Sequence, residues 1–280
     1  MILPQFPHHT AQGTSKQLGI IGGGVMAEAI LSRLIAQEIY PAAETIASDV
    51  SSDRLAVLRQ TYGIETTPSN LEVARVASTV LLAVKPQTLA SIAAEFEGAE
   101  VACDLWLSIL AGVPLSKLEG ALGNRAIIRV MPNTPALVGA GITALAPGKF
   151  ALPGHLATAE KIFAAVGEVL TVSEAWMDAI TGLSGSGPAF VAIAIEALTD
   201  GGVAAGLPRP IAAKLAVQTV RGTAELMIQD DLHPALLKDR VTSPGGTTIA
   251  GVASLEASGF RAALIQAVQA AYRRSQELGR

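Results

Sequence analysis

The residues best suited to chemistry lie in the segment VTSPGGTTIAG at 241–251. Ser243 followed by Pro244 is typical of a helix N-cap with proline at the first helical position. The next four residues would then expose backbone N–H groups that have no intrahelical partner. These residues are Gly245, Gly246, Thr247 and Thr248. Such a helix start, with two added hydroxyl donors, could bind a carboxylate. A linker has a similar composition and is the alternative.

A glycine motif follows the first strand-like run. The stretch GIIGGGVMAEAI contains G-x-G-x-x-A in Gly22, Gly24 and Ala27. The first glycine permits a tight turn, the second lets the backbone approach a pyrophosphate, and the small third residue keeps helix and strand close. The helix N-terminus, with Val25 and Met26, would face the negative charge. The motif at this junction predicts a dinucleotide-binding site.

The second strand-like run leaves the choice between NAD and NADP open. Asp49 follows it, roughly 20 residues after the glycine motif, where a carboxylate often binds the ribose 2′-hydroxyl. Such a carboxylate would repel the 2′-phosphate of NADP. Neighbouring side chains could bind that phosphate instead, and they are Ser48, Ser51, Ser52 and Arg54. Asp49 could also simply cap the next helix.

The segment AVKPQ at 83–87 ends another strand-like run. Ligands bind at the carboxyl ends of strands in open α/β sheets, so Ala83, Val84 and Lys85 are predicted to line the cofactor site. Pro86 suits the first turn of the following helix and completes this set. An ordinary exposed loop lysine is the alternative for Lys85.

A fourth polar segment, RVMPNTPALVGAG, also follows a strand-like run. Asn133 and Thr134 could hydrogen-bond a nicotinamide carboxamide. They could equally build the turn that Pro132 and Pro135 indicate. Both interpretations stay open at this point.

Strand-like and helical stretches alternate in the part of the chain that must position these residues. The strand-like runs lie at 18–21, 45–48, 79–84, 105–110, 126–130, 142–145 and 168–172. The helical stretches lie at 26–39, 53–61, 70–77, 87–96, 115–122 and 153–166. This alternation predicts an α/β fold with a Rossmann-type, doubly wound, mostly parallel sheet. Near-continuous apolar strands indicate that both faces are covered.

The rest of the chain is predicted to be helical. Its helices are expected at 174–183, 188–200, 209–228, 234–239, 247–256 and 260–277. In the last of these, one buried stripe is expected from Leu264, Val268, Ala271 and Leu278. The predicted organisation is a mobile tail at 1–17, a dinucleotide-binding domain at 18–172 and an all-helical dimerisation domain at 173–280.

Composition excludes several classes of protein. Half of the 280 residues are hydrophobic and 16% are charged, with a mean hydropathy of +0.44, which argues against disorder. A net charge of −4 gives no basic surface for nucleic acid. The single cysteine, Cys103, lies in an apolar stretch and is interpreted as a small buried residue. The apolar runs fall short of the ~20 residues of a membrane span, and no secretory signal is evident, so a cytoplasmic location is expected.

Together these motifs resemble the Δ1-pyrroline-5-carboxylate reductase family, which catalyses the last step of proline biosynthesis. The resemblance spans about 18–278. It rests on IGGGVMAEAI, AVKPQ, MPNTP at 131–135, SGSGPAF at 184–190, EALTDGGVAAGLPR at 196–209 and VTSPGGTTIAGVASLE at 241–256. The last stretch resembles the family signature and is much more specific than the glycine pattern.

The resemblance implies a Rossmann domain and a helical domain that interlocks with a second subunit. Several dimers often assemble further in this family, for example into a decameric ring. The implied reaction transfers hydride from NADP(H), or from NAD(H), to the imine carbon of 1-pyrroline-5-carboxylate and gives L-proline. It requires no metal.

The resemblance also implies roles for individual residues. The substrate would be held by Ser243, Gly245, Gly246, Thr247 and Thr248. The Thr248 hydroxyl would donate or relay a proton towards the imine nitrogen. Asn70 and Lys85 would line the cofactor site, and Asp231 is the nearest match to an acidic residue that shapes the family's substrate site.

Two other functions remain open at the level of sequence. A β-hydroxyacid dehydrogenase has a similar two-domain plan and typically uses a helix lysine, for which Lys214 is the candidate. A non-catalytic nicotinamide-binding sensor would use its helical half only for association. An exposed helix lysine is the simpler interpretation of Lys214.

Overall fold

The computed structural model describes residues 16–279. Most of the predicted tail at 1–17 therefore lies outside the described residues. The first strand begins at Lys16, so Lys16 and Gln17 belong to the sheet and not to a tail. The Lys16 side chain fixes this end of the strand, because its Nζ donates to the Ala43 carbonyl at 2.7 Å and pairs with Glu65 at 2.6 Å.

Eight strands form one sheet. They are β1 Lys16–Ile21, β2 Thr45–Ser48, β3 Glu65–Thr67, β4 Ala77–Leu82, β5 Leu105–Ser108, β6 Ala126–Met131, β7 Gly141–Pro147 and β8 Gly167–Thr171. Their order is β3-β2-β1-β4-β5-β6-β7-β8. All neighbouring pairs are parallel except β6 and β7. The predicted doubly wound, mostly parallel sheet is confirmed.

Seven helices accompany the strands. They are α1 Val25–Ala36, α2 Ser52–Tyr62, α3 Asn70–Val76, α4 Leu89–Glu95, α5 Leu115–Leu122, α6 Pro153–Ala164 and α7 Met177–Ile180. α1 and α6 cover one face of the sheet with side chains such as Ile30 and Phe163. α3, α4 and α5 cover the other face with Val73, Ile92 and Leu118. Alternate residues along each central strand enter the two cores, as expected for a sheet buried on both faces.

The strand β3 was not predicted. Its three residues, Glu65, Thr66 and Thr67, contain no apolar run, and the strand lies at the edge of the sheet. It forms because the backbone pairs with β2, where Thr66 lies opposite Ala47. Hydrophobic periodicity cannot reveal a strand that is held mainly by main-chain hydrogen bonds.

Cys103 lies in the core as interpreted from its apolar surroundings. Its side chain is buried among the residues that cover β5, and its thiol donates to the Leu105 carbonyl at 3.0 Å. Burial raises the pKa of this thiol to about 12. Cys103 therefore carries no thiolate at neutral pH.

Five helices follow the sheet. They are α8 Gly187–Ala204, α9 Arg209–Gln229, α10 Pro234–Arg240, α11 Thr247–Ala257 and α12 Phe260–Gly279. By its contacts the described chain divides into one unit of 16–185 and 272–279 and a second unit of 186–271. The segment between β8 and α8 thus packs with the sheet, where Met177 is fully buried. The domain boundary at 172/173 stays a prediction.

The prediction that α12 has a buried apolar stripe is wrong for the chain taken by itself. Leu264 is 39% exposed and Leu278 is 46% exposed, while Val268 and Ala271 are half-buried. Large apolar side chains are also exposed on α8, α9 and α11, including Ile193, Leu215 and Leu255. The periodicity correctly predicted an apolar face, but within the described chain much of that face stays exposed.

One helical run could cross a membrane by length and composition alone. It extends over the 31 residues Glu174–Ala204, within which an 18-residue window has a mean hydropathy of 1.3. The expectation of short apolar runs is not contradicted, because Glu196 interrupts this helical run. The run is not one regular helix, because a π-helical turn at Thr181–Gly185 interrupts it. One such run is weak evidence for a membrane span.

A buried arginine joins the sheet to the last helix. Arg129 on β6 donates from Nη2 to Asp178 Oδ1 at 3.0 Å, and its Nη1 lies 3.5 Å from Glu174 Oε1. Ser275 on α12 donates to the same Asp178 oxygen at 2.9 Å. The arginine side chain is 5% exposed, so the two carboxylates compensate a charge that water hardly reaches.

We expect Asp178→Asn to lower the free energy of unfolding by about 3 kcal/mol, because it leaves the buried Arg129 charge with only the more distant Glu174. Ser275→Ala is the matched control and should cost about 1 kcal/mol, since it removes one neutral donor. Urea unfolding at a fixed protein concentration measures both values. Equal losses in the two variants would show that the charge of Asp178 is not what matters.

Candidate cofactor and substrate sites

The glycine-rich loop begins with a residue that must be glycine. Gly22 has a φ of +94°, a region that side chains rarely adopt. A Cβ atom there would lie 2.7 Å from the Ala83 carbonyl oxygen. The Gly22 N–H donates to the Ser48 carbonyl at 2.9 Å, and the Ala83 N–H donates to the Ile21 carbonyl at 2.8 Å. The loop is thus held between the ends of β2 and β4.

The second glycine of the motif faces open space. Gly24 is the N-cap of α1, and a Cβ atom built on it would meet no atom within 4 Å. In the part of the chain that the structure describes, no side chain caps this helix, so its first N–H groups remain available to a ligand. Ala27 is buried against the strand. The loop therefore has the shape and the donors that a pyrophosphate needs.

A cavity of about 420 Å³ lies at the carboxyl ends of β1, β2 and β4. The strand order reverses at this point, since β1 has β2 on one side and β4 on the other. Ligands of open α/β sheets bind at such a point. Seven of the predicted cofactor residues line the cavity, and they are Gly22, Gly24, Asp49, Asn70, Ala83, Val84 and Lys85.

The other predicted cofactor residues lie beside the cavity or behind its wall. Val25 and Met26 form the exposed and half-buried first turn of α1. Ser48 is fully buried and donates to Asn70 Oδ1 at 2.8 Å, so it supports a lining residue. Pro86 begins the 3₁₀ turn Pro86–Thr88 before α4, as its position predicted.

One side of the cavity was missed at the level of sequence. It consists of Thr88, Ser91, Ile92 and Glu95, and Val50 lines another side. The four residues are spaced i, i+3, i+4 and i+7 and therefore share one helical face. That spacing, directly after the AVKPQ segment, was the signal that could have identified them.

Asp49 is held by backbone donors. Its Oδ2 accepts from the Gly23 N–H at 2.7 Å, and its Oδ1 accepts from the Ser51 N–H at 2.9 Å. The interpretation of Asp49 as a cap of the next helix is wrong, because the N-cap of α2 is Ser51, whose Oγ accepts from the Arg54 N–H at 3.3 Å. Asp49 instead ties the glycine-rich loop to the end of β2.

The structure favours the turn-building alternative for Asn133. Its side-chain carbonyl accepts from the Ile142 N–H at 3.0 Å, and its amide nitrogen donates to Ser184 Oγ at 3.3 Å. Asn133 is also buried and precedes the 3₁₀ segment Thr134–Val138. Both polar ends of the amide are therefore engaged within the protein.

The predicted N-cap at Ser243 is wrong. The helix α11 begins at Thr247 with Gly246 as its N-cap. The Ser243 carbonyl accepts from the Gly246 N–H at 3.0 Å, which closes a turn with Pro244 and Gly245 at its centre. Gly245 has a φ of +67°, and proline followed by a left-handed glycine is typical of a type II turn. Proline and glycine thus build the turn before the helix.

The start of α11 offers several hydrogen-bond donors to a ligand. No described side chain caps it, and the first intrahelical bond is donated by the Ala250 N–H to the Gly246 carbonyl at 3.3 Å. Thr247 and Thr248 are exposed, and within 16–279 the Thr248 hydroxyl has no protein partner. A Cβ atom on Gly246 would lie 2.4 Å from Ser243 Oγ, so a larger residue there would require the Ser243 side chain to rotate. The predicted substrate residues Ser243 to Thr248 therefore form one polar surface.

Two further candidates lie elsewhere in the second unit. Asp231 is exposed in the turn between α9 and α10, and its φ of +47° is rare for a residue other than glycine. Lys214 is exposed on α9, which agrees with the simpler interpretation of an ordinary helix lysine. No group of three or more possible metal-ligating residues was found in the described part of the chain.

Family models match both the N-terminal and the C-terminal part of the chain. Residues 174–278 match the family described as pyrroline-5-carboxylate reductase dimerisation, and residues 17–112 match NADP oxidoreductase coenzyme F420-dependent. A pyrroline-5-carboxylate reductase of Synechocystis sp. is 59% identical over 95% of this chain and 99% of the relative. The chain belongs to the pyrroline-5-carboxylate reductase family. The reductase of Methanosarcina acetivorans is 45% identical over 95% of this chain and 99% of its own length.

Solved structures of this reductase family have the same fold. The reductase of Coxiella burnetii is 36% identical, with a TM-score of 0.86 over 95% of this chain and 99% of that chain. The Plasmodium falciparum pyrroline carboxylate reductase with NADP bound is 31% identical, with a TM-score of 0.86 over 96% of this chain and 100% of that chain. These findings favour the reductase over the β-hydroxyacid dehydrogenase and sensor alternatives.

The two motif glycines form a matched pair for mutation. We expect Gly22→Ala to lower the free energy of unfolding by about 3 kcal/mol, because a left-handed alanine also collides with the Ala83 carbonyl. Gly24→Ala should cost less than about 1 kcal/mol, because its Cβ meets open space, but it should weaken dinucleotide binding at least tenfold. Thermal unfolding and calorimetric titration with NADP measure the two effects. Normal binding by Gly24→Ala would exclude this loop as the pyrophosphate site.

Proposed function

We propose that the chain reduces 1-pyrroline-5-carboxylate to L-proline with NADPH as the hydride donor. The observation that carries this proposal is the polar start of α11, in the signature segment 241–256, within a chain that is 59% identical to a reductase of that name. The match extends over both the dinucleotide-binding and the helical parts.

NADP(H) is the proposed cofactor, and it supplies the hydride when bound. The uncapped N-terminus of α1 would hold the pyrophosphate above Gly24, and Ala83, Val84, Lys85 and Asn70 would line the adenosine side. The Plasmodium falciparum relative with NADP bound supports this choice. NAD(H) is the alternative, because Asp49 lies where a ribose carboxylate is expected.

The start of α11 is proposed to orient the substrate. Its free N–H groups would hold the substrate carboxylate, with Ser243, Gly245, Gly246 and Thr247 around it. A fixed carboxylate fixes the ring, and orientation alone can remove much of the barrier to a bimolecular step. Asp231 is kept as a candidate because it lies in the same unit, in the turn before α10.

Thr248 is proposed to act at the imine nitrogen. Hydride addition to the imine carbon requires a nitrogen that gains or keeps a proton, since protonation makes the carbon more electrophilic. The Thr248 hydroxyl, which has no partner among the described residues, can donate a hydrogen bond there. A hydroxyl with a pKa far above neutrality is a poor proton source alone, so Thr248 would relay a proton from water.

The helical part is proposed to form a homodimer with a second copy of the chain. The family match over 174–278 shows a dimerisation domain, and the exposed apolar faces of α8, α9, α11 and α12 supply the surface. Subunit packing also explains the apolar run Glu174–Ala204 without a membrane. Assembly of dimers into a decameric ring and a cytoplasmic location remain predictions.

The role of Thr248 can be tested by removing only its hydroxyl. We expect Thr248→Ala to lower kcat about 100-fold, within the range for loss of a positioned proton donor, and to leave the Kd for NADPH unchanged. Thr248→Ser keeps the hydroxyl and should retain most of the activity. Oxidation of NADPH followed at 340 nm with 1-pyrroline-5-carboxylate measures both. Unchanged turnover by Thr248→Ala would remove this residue from the mechanism.

The proposed dimer surface can be tested with a charge. Ile265 on α12 is 58% exposed and Val57 on α2 is 43% exposed. We expect Ile265→Glu to shift sedimentation at micromolar concentration from dimer or larger species to monomer, because a buried unpaired carboxylate costs several kcal/mol. Val57→Glu, outside the dimerisation domain, should sediment as the original chain does. Retained assembly in Ile265→Glu would place the interface elsewhere.

A further inference from the structure

A cluster of three side chains lies behind the glycine-rich loop, and of the three only Arg54 was considered from the sequence, as a possible ligand of a 2′-phosphate. Arg54 on α2 donates from Nε to the Gly23 carbonyl and pairs through Nη2 with Glu28 Oε2 on α1. Tyr62 on α2 donates to Glu28 Oε1 at 2.9 Å. Both carboxylate oxygens of Glu28 are thus engaged, and α2 is fastened to α1 directly beside the loop.

The cluster adjoins the place where the adenosine ribose of a dinucleotide is expected. The ribose would be expected near the carboxyl end of β2, which Asp49 follows. Asp49 accepts from the N–H of the same Gly23 whose carbonyl Arg54 contacts. A Cβ atom on Gly23 would lie 3.3 Å from both Arg54 Cγ and Asp49 Oδ2. Arg54, Gly23 and Asp49 therefore form one continuous wall beside the cavity, and of the three Asp49 lines the cavity itself.

The charges of this wall do not favour a dianion. Arg54 is the one cation here, and the carboxylates of Glu28 and Asp49 lie around it. Arg54, Glu28 and Asp49 together therefore carry a net negative charge. The hydrogen bond from Arg54 lowers the pKa of Glu28, which keeps its carboxylate charged at neutral pH. The Arg54 side chain is 25% exposed, and within the described residues its Nη1 has no hydrogen-bond partner.

We propose that Glu28 sets the preference between NADPH and NADH by neutralising Arg54 beside the 2′-position of the adenosine ribose. This inference rests on the proposed function, because it assumes that a nicotinamide dinucleotide binds at the glycine-rich loop. Glu28 acts through Arg54 and is a positioning residue. It restrains the guanidinium and reduces its attraction for a 2′-phosphate, so that NADH remains competitive.

Glu28→Gln separates charge from geometry. The amide has nearly the same shape, and its oxygen can still accept from Arg54 or Tyr62, but its negative charge is gone. We expect the ratio of Kd for NADH to Kd for NADPH to rise about fivefold, the order expected for removing one charge near a dianion in partly solvated surroundings. The rise should shrink at high salt.

Two control variants isolate the electrostatic effect. Tyr62→Phe removes the other hydrogen bond to Glu28 without changing any charge, and it should leave the ratio of the two Kd values unchanged. In an Arg54→Gln background, Glu28→Gln should change the ratio much less than in the original chain, because its effect passes through Arg54. If Glu28→Gln does not fold, Glu28→Ala removes the same charge and is measured instead.

Binding is measured by the fluorescence of NADPH and NADH, without substrate. Calorimetry with adenosine 2′,5′-bisphosphate and with 5′-AMP tests the same wall without the nicotinamide end. A ratio that rises in Glu28→Gln and not in Tyr62→Phe supports the proposal. A ratio that stays constant or falls in Glu28→Gln overturns it, while binding itself persists. Failure of the original chain to bind either dinucleotide would instead overturn the proposed function.

Discussion

The close approach of the glycine-rich loop to its neighbouring strands is the constraint on which the dinucleotide site depends. Gly22 lies against the Ala83 carbonyl, and Asp49 accepts a hydrogen bond from Gly23. These contacts fix the loop between β2 and β4 and leave the N-terminus of α1 directed into open space. The cavity follows from them, since its walls are the residues that leave β1, β2 and β4. Even Asp49, the obvious candidate for a ribose ligand, has both oxygens engaged in holding this loop.

The parts of the fold that depend on burial could be predicted from the sequence. Seven strands were predicted from apolar runs, and six of them are largely buried, while β8 at the edge is half-exposed. The observed strand order confirms the doubly wound sheet. The elements that were predicted incorrectly depend on other interactions. β3 is held by main-chain pairing at an edge, and the start of α11 is delayed by a turn that Gly245 permits through its positive φ. Local sequence preferences allowed either a cap or a turn at Ser243 and Pro244.

The candidate site could be predicted only where a motif marks a backbone requirement. Gly22 and Gly24 were identified because pyrophosphate binding restricts the residue type at both positions. The wall formed by Thr88, Ser91, Ile92 and Glu95 carries no such restriction and was found only from the cavity. The link between Glu28 and Arg54 joins two helices whose sequence separation gives no hint of contact. The prediction of a buried stripe on α12 was wrong for a related reason. A periodic apolar face does not reveal whether the residues that pack against it belong to the same chain.

The hydrogen bond between Ser275 and Asp178 joins two residues that are synthesised at different times. Arg129, near the middle of the chain, donates to Asp178. The second donor to Asp178 is the Ser275 hydroxyl, in the penultimate turn of α12. Because synthesis runs from the N-terminus, all eight strands are made before Ser275. The unit that contains the sheet can therefore begin to fold while this buried network lacks one of its donors, and the network becomes complete only after Ser275 has been added.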